Sequence, residues 1–461
     1  HAARALGLAD RGSLQAGQRA DFGVLLGDGW YCGHLDWRGR QRYGDRPRLL
    51  AQLEITHADG STQTVVSDET WQHNYGALLS SDMLMGEAYD ARREFSGWDM
   101  PGFDASDWGR VRSTEPPKGP LTAAHANPVR AAQEIHPISI AHVDDWPVHR
   151  WVFDLGQNMV GHVRLKVQGK PGQTLTLRHA EAVISDPPLS PDGTLYSVAL
   201  RTAKATDYYT CKGNGEEIWE PRFTFHGFRY VEVTGCDPNP PLDMITGVVV
   251  HSDLPFTGKF ECSDPLLNRL QQNIQWSQRG NFVSIPTDCP QRDERLGWFG
   301  DAQVTAEEAM FNFDMARFYE NWFEGIKDNQ DEKTGDLPII SPQPYIWDEG
   351  VEWSSTYFTM FWQFYQYYGD KKLLARHYEP MKRYMEFLDS IAENYIVPMG
   401  WIGDWGSMVV GWKEGQPESV PTAFYFYDAV ILSKIAKVLG KELESKQFAA
   451  LAGEIKSAYN Q

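Results

Sequence analysis

The apolar residues of this chain change period near Gly258. Upstream they alternate, or form short runs closed by glycine-bearing turns; downstream they recur at three and four residues. Alternation marks half-buried strands and the longer period marks amphipathic helices, so the chain reads as β-rich first and helical after. Its 461 residues predict about three domains.

The β-rich region separates into a pair of modules. From Gly23 to about Arg112, L-L-A-Q-L-E-I-T-H alternates, and Ala58-Asp59-Gly60 supplies a hairpin turn before T-Q-T-V-V. Residues 113–135, rich in Pro, Ala and polar side chains, read as a linker. A second module follows over 136–250: W-V-F-D-L-G-Q-N-M-V-G-H-V-R-L-K-V-Q-G reads as two strands around a turn, T-L-T-L-R-H-A as another, and F-T-F-H-G-F-R-Y-V-E-V-T-G as a further one. His226, between aromatics in that last strand, reads as a structural histidine. From residue 255, Leu266, Leu267, Leu270 and Ile274 mark a first helix. Two helices are expected between Asp301 and Asn329, one over 353–368, one over 371–394, and two between Thr422 and Tyr459, about seven in all.

Composition narrows the functional classes. A net charge of −19 leaves no basic stripe to neutralise phosphates and argues against nucleic acid and anionic membranes as partners. No apolar run reaches membrane-spanning length. The five cysteines (Cys32, Cys211, Cys236, Cys262, Cys289) are scattered, with no C-x-x-C pair, so no zinc site is indicated, and no D-x-D-x-D-G loop marks calcium. No metal or cofactor is expected. A reducing compartment is compatible and the cytoplasm is favoured, with an N-terminus that reads as incomplete; a homo-oligomer is compatible with the sequence. Aromatics at 13 % suit sugar stacking and core packing alike.

The chemistry concentrates in Ser284 to Gln303. Asp288, Asp293, Glu294 and Asp301 fall within fourteen residues, with Arg292, Arg295 and Trp298 among them. Arg-Asp-Glu-Arg runs are common on solvated surfaces. This one, however, is bracketed by Pro, Gly and Trp, precedes a helix, and is echoed downstream by Trp353 and by Gly403-Asp404-Trp405. Crowded carboxyls beside arginines and an aromatic wall are one way to hold one acid protonated and another ionised, as glycosidic hydrolysis requires.

D-C-P-Q-R-D-E-R-L-G-W-F-G-D-A-Q closely resembles the catalytic segment of the bacterial α-L-rhamnosidases of glycoside hydrolase family 78. The resemblance extends from about Gly23 to the end, through Gly27-Asp28-Gly29-Trp30-Tyr31, Asp154-Leu155-Gly156-Gln157-Asn158 and Phe225-His226-Gly227-Phe228-Arg229-Tyr230. It implies two β-sandwich modules (23–112, incomplete, and 136–250) followed over 255–461 by the N-terminal portion of an (α/α)6 toroid. It also implies an inverting hydrolase releasing terminal rhamnose from rhamnose-containing oligosaccharides or glycosides. Glu294 falls at the general acid; Asp288, Arg292 and Asp301 at positions that hold sugar hydroxyls; Trp298, Trp353 and Trp405 at pocket walls. Trp347 and Trp401 read as core or rim.

Two departures stand out. Where the family often has W-x-D-A, this chain has Trp353-Ser354-Ser355-Thr356, without the acid. The family's base, in a late Trp-Glu pair, has no counterpart before Gln461 and is expected beyond this chain; Glu414 and Glu418 lack the motif. A rhamnosidase truncated at both ends therefore competes with a non-catalytic, sugar-binding fragment. Residues 1–22 read as foreign: Gly12, Leu14, Gly17, Ala20 and Asp21 resemble the C-terminal segment of an imidazolonepropionase-like amidohydrolase.

Overall fold

The computed structural model describes residues 23–117, 119–144, 149–184, 194–344, 350–398 and 419–461. A helical turn, α1 (Gly29–Cys32), and an exposed hairpin of β1 (Gln52–Thr56) and β2 (Thr62–Val66) come first. The hairpin is the one expected, closed where Asp59 and Gly60 bend the chain.

A curled ten-stranded sheet forms the β-rich body. Its strands are β3 (Leu78–Asp82), β4 (Gly86–Asp90), β5 (Val129–Ile135), β6 (Ser139–Asp144), β7 (Arg150–Val167), β8 (Thr174–Ala180), β9 (Thr206–Thr210), β10 (Glu217–Trp219), β11 (His226–Thr234) and β12 (Ile245–Ser252). They run in the order β3-β4-β9-β8-β11-β7-β12-β5, with β6 and β10 also on β7. All pairings are antiparallel except β4 with β9. Strands from both expected modules thus share one sheet, and β5 lies inside the stretch read as a linker. Alternation reveals a strand but not its partner, so sheet membership was invisible in sequence.

The stretch read as two strands around a turn is one eighteen-residue strand, β7. Its first half pairs with β6 and β11 and its second with β10 and β12, so it changes partners without reversing direction. A Cβ on Gly161 would sit 1.9 Å from the Val248 carbonyl oxygen, so glycine there permits a close crossing rather than a hairpin. Phe153, Leu165, Leu175, Leu177, Phe228 and Val233 fill the core behind the sheet.

The helices match the expected positions: α2 (Pro265–Asn281), α3 (Phe299–Asn312), α4 (Ala316–Asp328), α5 (Val351–Ser354), α6 (Thr356–Tyr368), α7 (Lys371–Ile391), α8 (Ser419–Val438) and α9 (Glu442–Tyr459). Local chemistry starts two of them sharply. Asp264 accepts from Leu266 N ahead of Pro265 in α2, and Asp370 caps Lys372 N and Leu373 N in α7. The helix expected over 353–368 breaks at Ser355, whose hydroxyl donates back to the Val351 carbonyl. On α4, Phe318, Tyr319, Trp322, Phe323 and Ile326 bury one face in the helical core. Trp276 of α2 packs on the sheet core, joining the helical region to the β body.

Candidate active site

Between α2 and α3 the chain leaves helix and presents the acidic segment as a loop pinned from several directions. Asp288 N donates to the Leu296 carbonyl (3.1 Å), and Leu296 N returns a bond to Asp288 Oδ1 (3.0 Å). Inside that closure Arg295 is 2 % exposed, with φ at +56°. Its guanidinium donates to the carbonyls of Met83 (2.8 Å), Phe225 (2.7 Å), Gln291 (3.3 Å) and Arg292 (3.2 Å). The first lies beside β3 and the second just before β11, so one side chain ties the loop to both β segments. Burial draws the Arg295 pKa down to about 10, still fully charged at neutral pH.

Glu294 occupies the centre, 8 % exposed. Its Oε2 accepts from Arg292 Nε (2.9 Å), and its Oε1 from the Trp298 indole N–H (3.1 Å). Arg292 also donates to Asp288 Oδ2 (3.1 Å), so one guanidinium serves both carboxylates. Asp288, Cys289 and Glu294 bring polar atoms within 4.8 Å of one another. Burial, then the charge of Glu294, pushes the Asp288 carboxyl up to about 6. Two close carboxyls do not ionise independently, and it is Asp288 that is held toward its protonated form. Cys289 is buried, and its thiol is pushed up by burial and by the Asp288 charge, which keeps it protonated and inert as the packing reading expects.

Trp298 stands at the N-cap of α3 and Asp301 in its first turn. Asp301 faces solvent, yet enough protein crowds it that desolvation, then the charge of Glu294, raises its carboxyl. Trp353 from α5 packs on Gly300, where a Cβ would come within 2.3 Å of the indole. Trp298 and Trp353 join Leu296, Ile339 and Ile340 in a small apolar cluster completed by Trp30 and Leu35 of the first β segment. Asp288, Arg292, Glu294, Trp298, Asp301 and Trp353 thus belong to one loop–helix junction. Trp405, and with it Trp347, Trp401, Glu414 and Glu418, lies outside the described residues.

Two participants carried no signal in the sequence. Arg201, in the irregular stretch between β8 and β9, donates from Nη1 to Glu294 Oε2 (3.1 Å). Its guanidinium carbon lies 5.9 Å from the ring centroid of Trp37, in the first β segment. Neither belongs to a recognisable motif, and the contact spans 93 residues. His226, read as structural, is fully buried: it bonds Asp207 (3.0 Å) and stacks on His179 with centroids 4.3 Å apart.

Three family models match the chain in order. The alpha-L-rhamnosidase N-terminal domain covers residues 12–133, the bacterial alpha-L-rhamnosidase concanavalin-like domain 145–251, and the bacterial alpha-L-rhamnosidase 6 hairpin glycosidase domain 255–461. The first takes in some of the segment 1–22 expected to be foreign. An alpha-L-rhamnosidase of Streptomyces avermitilis is 41 % identical over 434 residues, 93 % of this chain and 41 % of that protein. The structure of an alpha-L-rhamnosidase from Dictyoglumus thermophilum superposes with a TM-score of 0.86 at 43 % identity, covering 91 % of this chain and 47 % of that one. The S. avermitilis alpha-L-rhamnosidase structure, complexed with L-rhamnose, gives a TM-score of 0.86 at 40 % identity over 94 % of this chain and 41 % of that one. This chain therefore spans less than half the length of each.

Proposed function

The chain belongs to the bacterial α-L-rhamnosidase family, and from that premise we propose that its loop–helix junction is the acid side of an inverting glycosidase that releases terminal α-L-rhamnose. The observation that carries the reading is Glu294, nearly buried beside a second carboxyl, with an indole and arginines fixing both of its oxygens. A general acid needs a proton near neutral pH and a fixed direction in which to deliver it. Asp288 supports the first, since burial and the charge of Glu294 raise its carboxyl to about 6 and so keep a proton donor beside Glu294. The Trp298 and Arg292 bonds support the second.

In this reading Glu294 protonates the departing glycosidic oxygen, while a base activates water on the opposite face of the ring. Asp288, Arg292 and Asp301 offer acceptors and a fork of donors suited to sugar hydroxyls, and Trp298 and Trp353 form apolar walls for the ring's C–H face. The helical region is taken as a portion of an (α/α)6 toroid and the β body as two sandwich modules serving it.

The test is hydrolysis of p-nitrophenyl α-L-rhamnopyranoside beside the corresponding glucoside and galactoside. Whatever turnover is measured is expected to favour the rhamnoside. Equal turnover of all three, or exclusive turnover of another sugar, would sink the assignment; rhamnose binding without turnover would favour the sugar-binding alternative.

A further inference from the structure

Glu294 is held from two sides, and only one belongs to its own loop. Arg292, Trp298 and the neighbouring Asp288 and Asp301 all come from 288–301. On the other side, the stretch between β8 and β9 reaches over and places Arg201 Nη1 at 3.1 Å from Glu294 Oε2 and 3.8 Å from Asp293 Oδ1. We propose that Arg201 is a positioning residue for Glu294, delivered by the β body and braced by Trp37, that fixes the orientation of the carboxyl group beneath the Trp298 indole. The proposal rests on the reading of Glu294 as the acid.

Three independent features indicate a built contact. Arg201 adopts φ +55°, a region that side-chain-bearing residues avoid unless their surroundings demand it. The next residue clamps the same loop: Thr202 N donates to Asp293 Oδ2 (3.1 Å), as does its hydroxyl, and Asp293 is 1 % exposed. Flanking Leu200, Ala203 and Ala205 are buried with Leu84, which follows β3, so the stretch is anchored before it reaches the loop. Arg201 itself keeps a side chain 46 % exposed. A partly solvated guanidinium can swing away as a leaving group enters, whereas Arg292, shared with Asp288, is bound at both ends.

The charges facing Glu294 are then Arg201 and Arg292 on the positive side and Asp288 and Asp301 on the negative, with Asp293 partly neutralising Arg201. Removing the guanidinium withdraws one of the two donors on Glu294 Oε2 and frees the carboxyl group to turn about its remaining bonds. The Trp298 indole N–H, bonded to Glu294 Oε1, reports that change directly.

The experiment compares the Trp298 indole resonance of the 461-residue chain, labelled at tryptophan nitrogen and assigned with Trp298→Phe, between variants at neutral pH. Arg201→Met is expected to shift and broaden that resonance as the carboxyl group loses its fixed direction, and Arg201→Lys to return it most of the way. Arg201→Gln repeats the test should the Met variant fail to fold, and thermal melting checks each protein. An unchanged indole resonance in a folded Met or Gln variant overturns the proposal. Where rhamnosides are hydrolysed, kcat/KM of Arg201→Met falls by about tenfold more on poor leaving groups than on p-nitrophenol, because only the former need a well-aimed proton. Turnover that does not prefer the rhamnoside counts against the functional reading alone, since the indole readout needs no catalysis.

Discussion

At the scale of single residues, Glu294 is tested by chemistry that depends on the leaving group. Glu294→Gln keeps the acceptor for Trp298 and removes the proton donor. Hydrolysis of rhamnosides with poor leaving groups is expected to fall by about 10²–10⁴-fold, and that of activated aryl rhamnosides far less, because only the former need protonation. A loss of equal size on both would mean that the residue serves binding or folding. Arg295 poses the opposite case, a charged residue in the acidic motif whose work is structural. Arg295→Met strips four backbone carbonyls of a buried donor at once, and a loss on the order of 3 kcal/mol or more is expected in denaturant titration, with unfolding accompanied by release of the loop. From sequence, Asp288, Arg292, Glu294, Trp298 and Asp301 were legible because they lie within one short stretch of unusual chemistry. Arg201, Trp37 and the anchoring role of Arg295 were not. Each acts on or through partners far along the chain, and no local pattern encodes such contacts.

At the scale of elements, the site depends on how α3 begins. Trp298 caps the helix without a side-chain bond to its amides; instead Phe299 N donates to the Ile339 carbonyl (2.9 Å) and Gly300 packs against Trp353. Gly300→Ala introduces a methyl group into the Trp353 indole. The ring must tilt, and overpacking of this kind costs about 1–3 kcal/mol. Because the displaced ring also walls the proposed pocket, KM for the rhamnoside is expected to rise as well; an unchanged melting temperature together with an unchanged KM would show that Trp353 is neither packed nor lining. Helix positions after Gly258 were readable because the 3.6-residue period is local, whereas the short turn α1 lies in a stretch read as β. Two features were not. The break at Ser355 follows from a hydroxyl turning back on its own helix, and the unbroken course of β7 follows from partners on either edge that exchange at Gly161. Glycine inside an alternating run reads equally well as a turn or as a crossing, and only the neighbouring strand decides.

At the scale of the whole molecule, the β body is a foundation for the helical site, and its buried charges set how firmly it stands. Phe225, whose carbonyl receives Arg295, adjoins His226, and His226 stacks on His179 in the interior of the sheet. Burial, then the nearby His226, draws the His179 pKa down to about 3, so the folded protein keeps that ring neutral across the whole acid range down to that point. An unfolded histidine protonates near 6.5. Between about pH 6.5 and 3 the unfolded state therefore binds the extra proton, and His179 makes stability fall as pH falls. Glu87 acts with the opposite sign. Burial raises its carboxyl to about 7, so in the folded state it is protonated below that point while the unfolded chain stays ionised down to about 4.5, and acidification over that window favours folding. The two contributions offset each other through mild acid, which hides both in a simple pH–stability curve. Substitution separates them. His179→Gln cannot protonate, so it escapes the acid penalty of the wild-type ring. Its cost, measured as the change in urea midpoint of the transition reporting the sheet, is expected to be smaller at pH 4.5 than at pH 7, by on the order of 2 kcal/mol. Glu87→Gln is expected to behave in reverse, its cost growing as pH falls from 7 to 4.5, since it forfeits the stabilising proton uptake. Equal costs for His179→Gln at both pH values would mean that the ring is already charged in the folded protein, paired with Asp207 as an ion rather than stacked as a neutral ring.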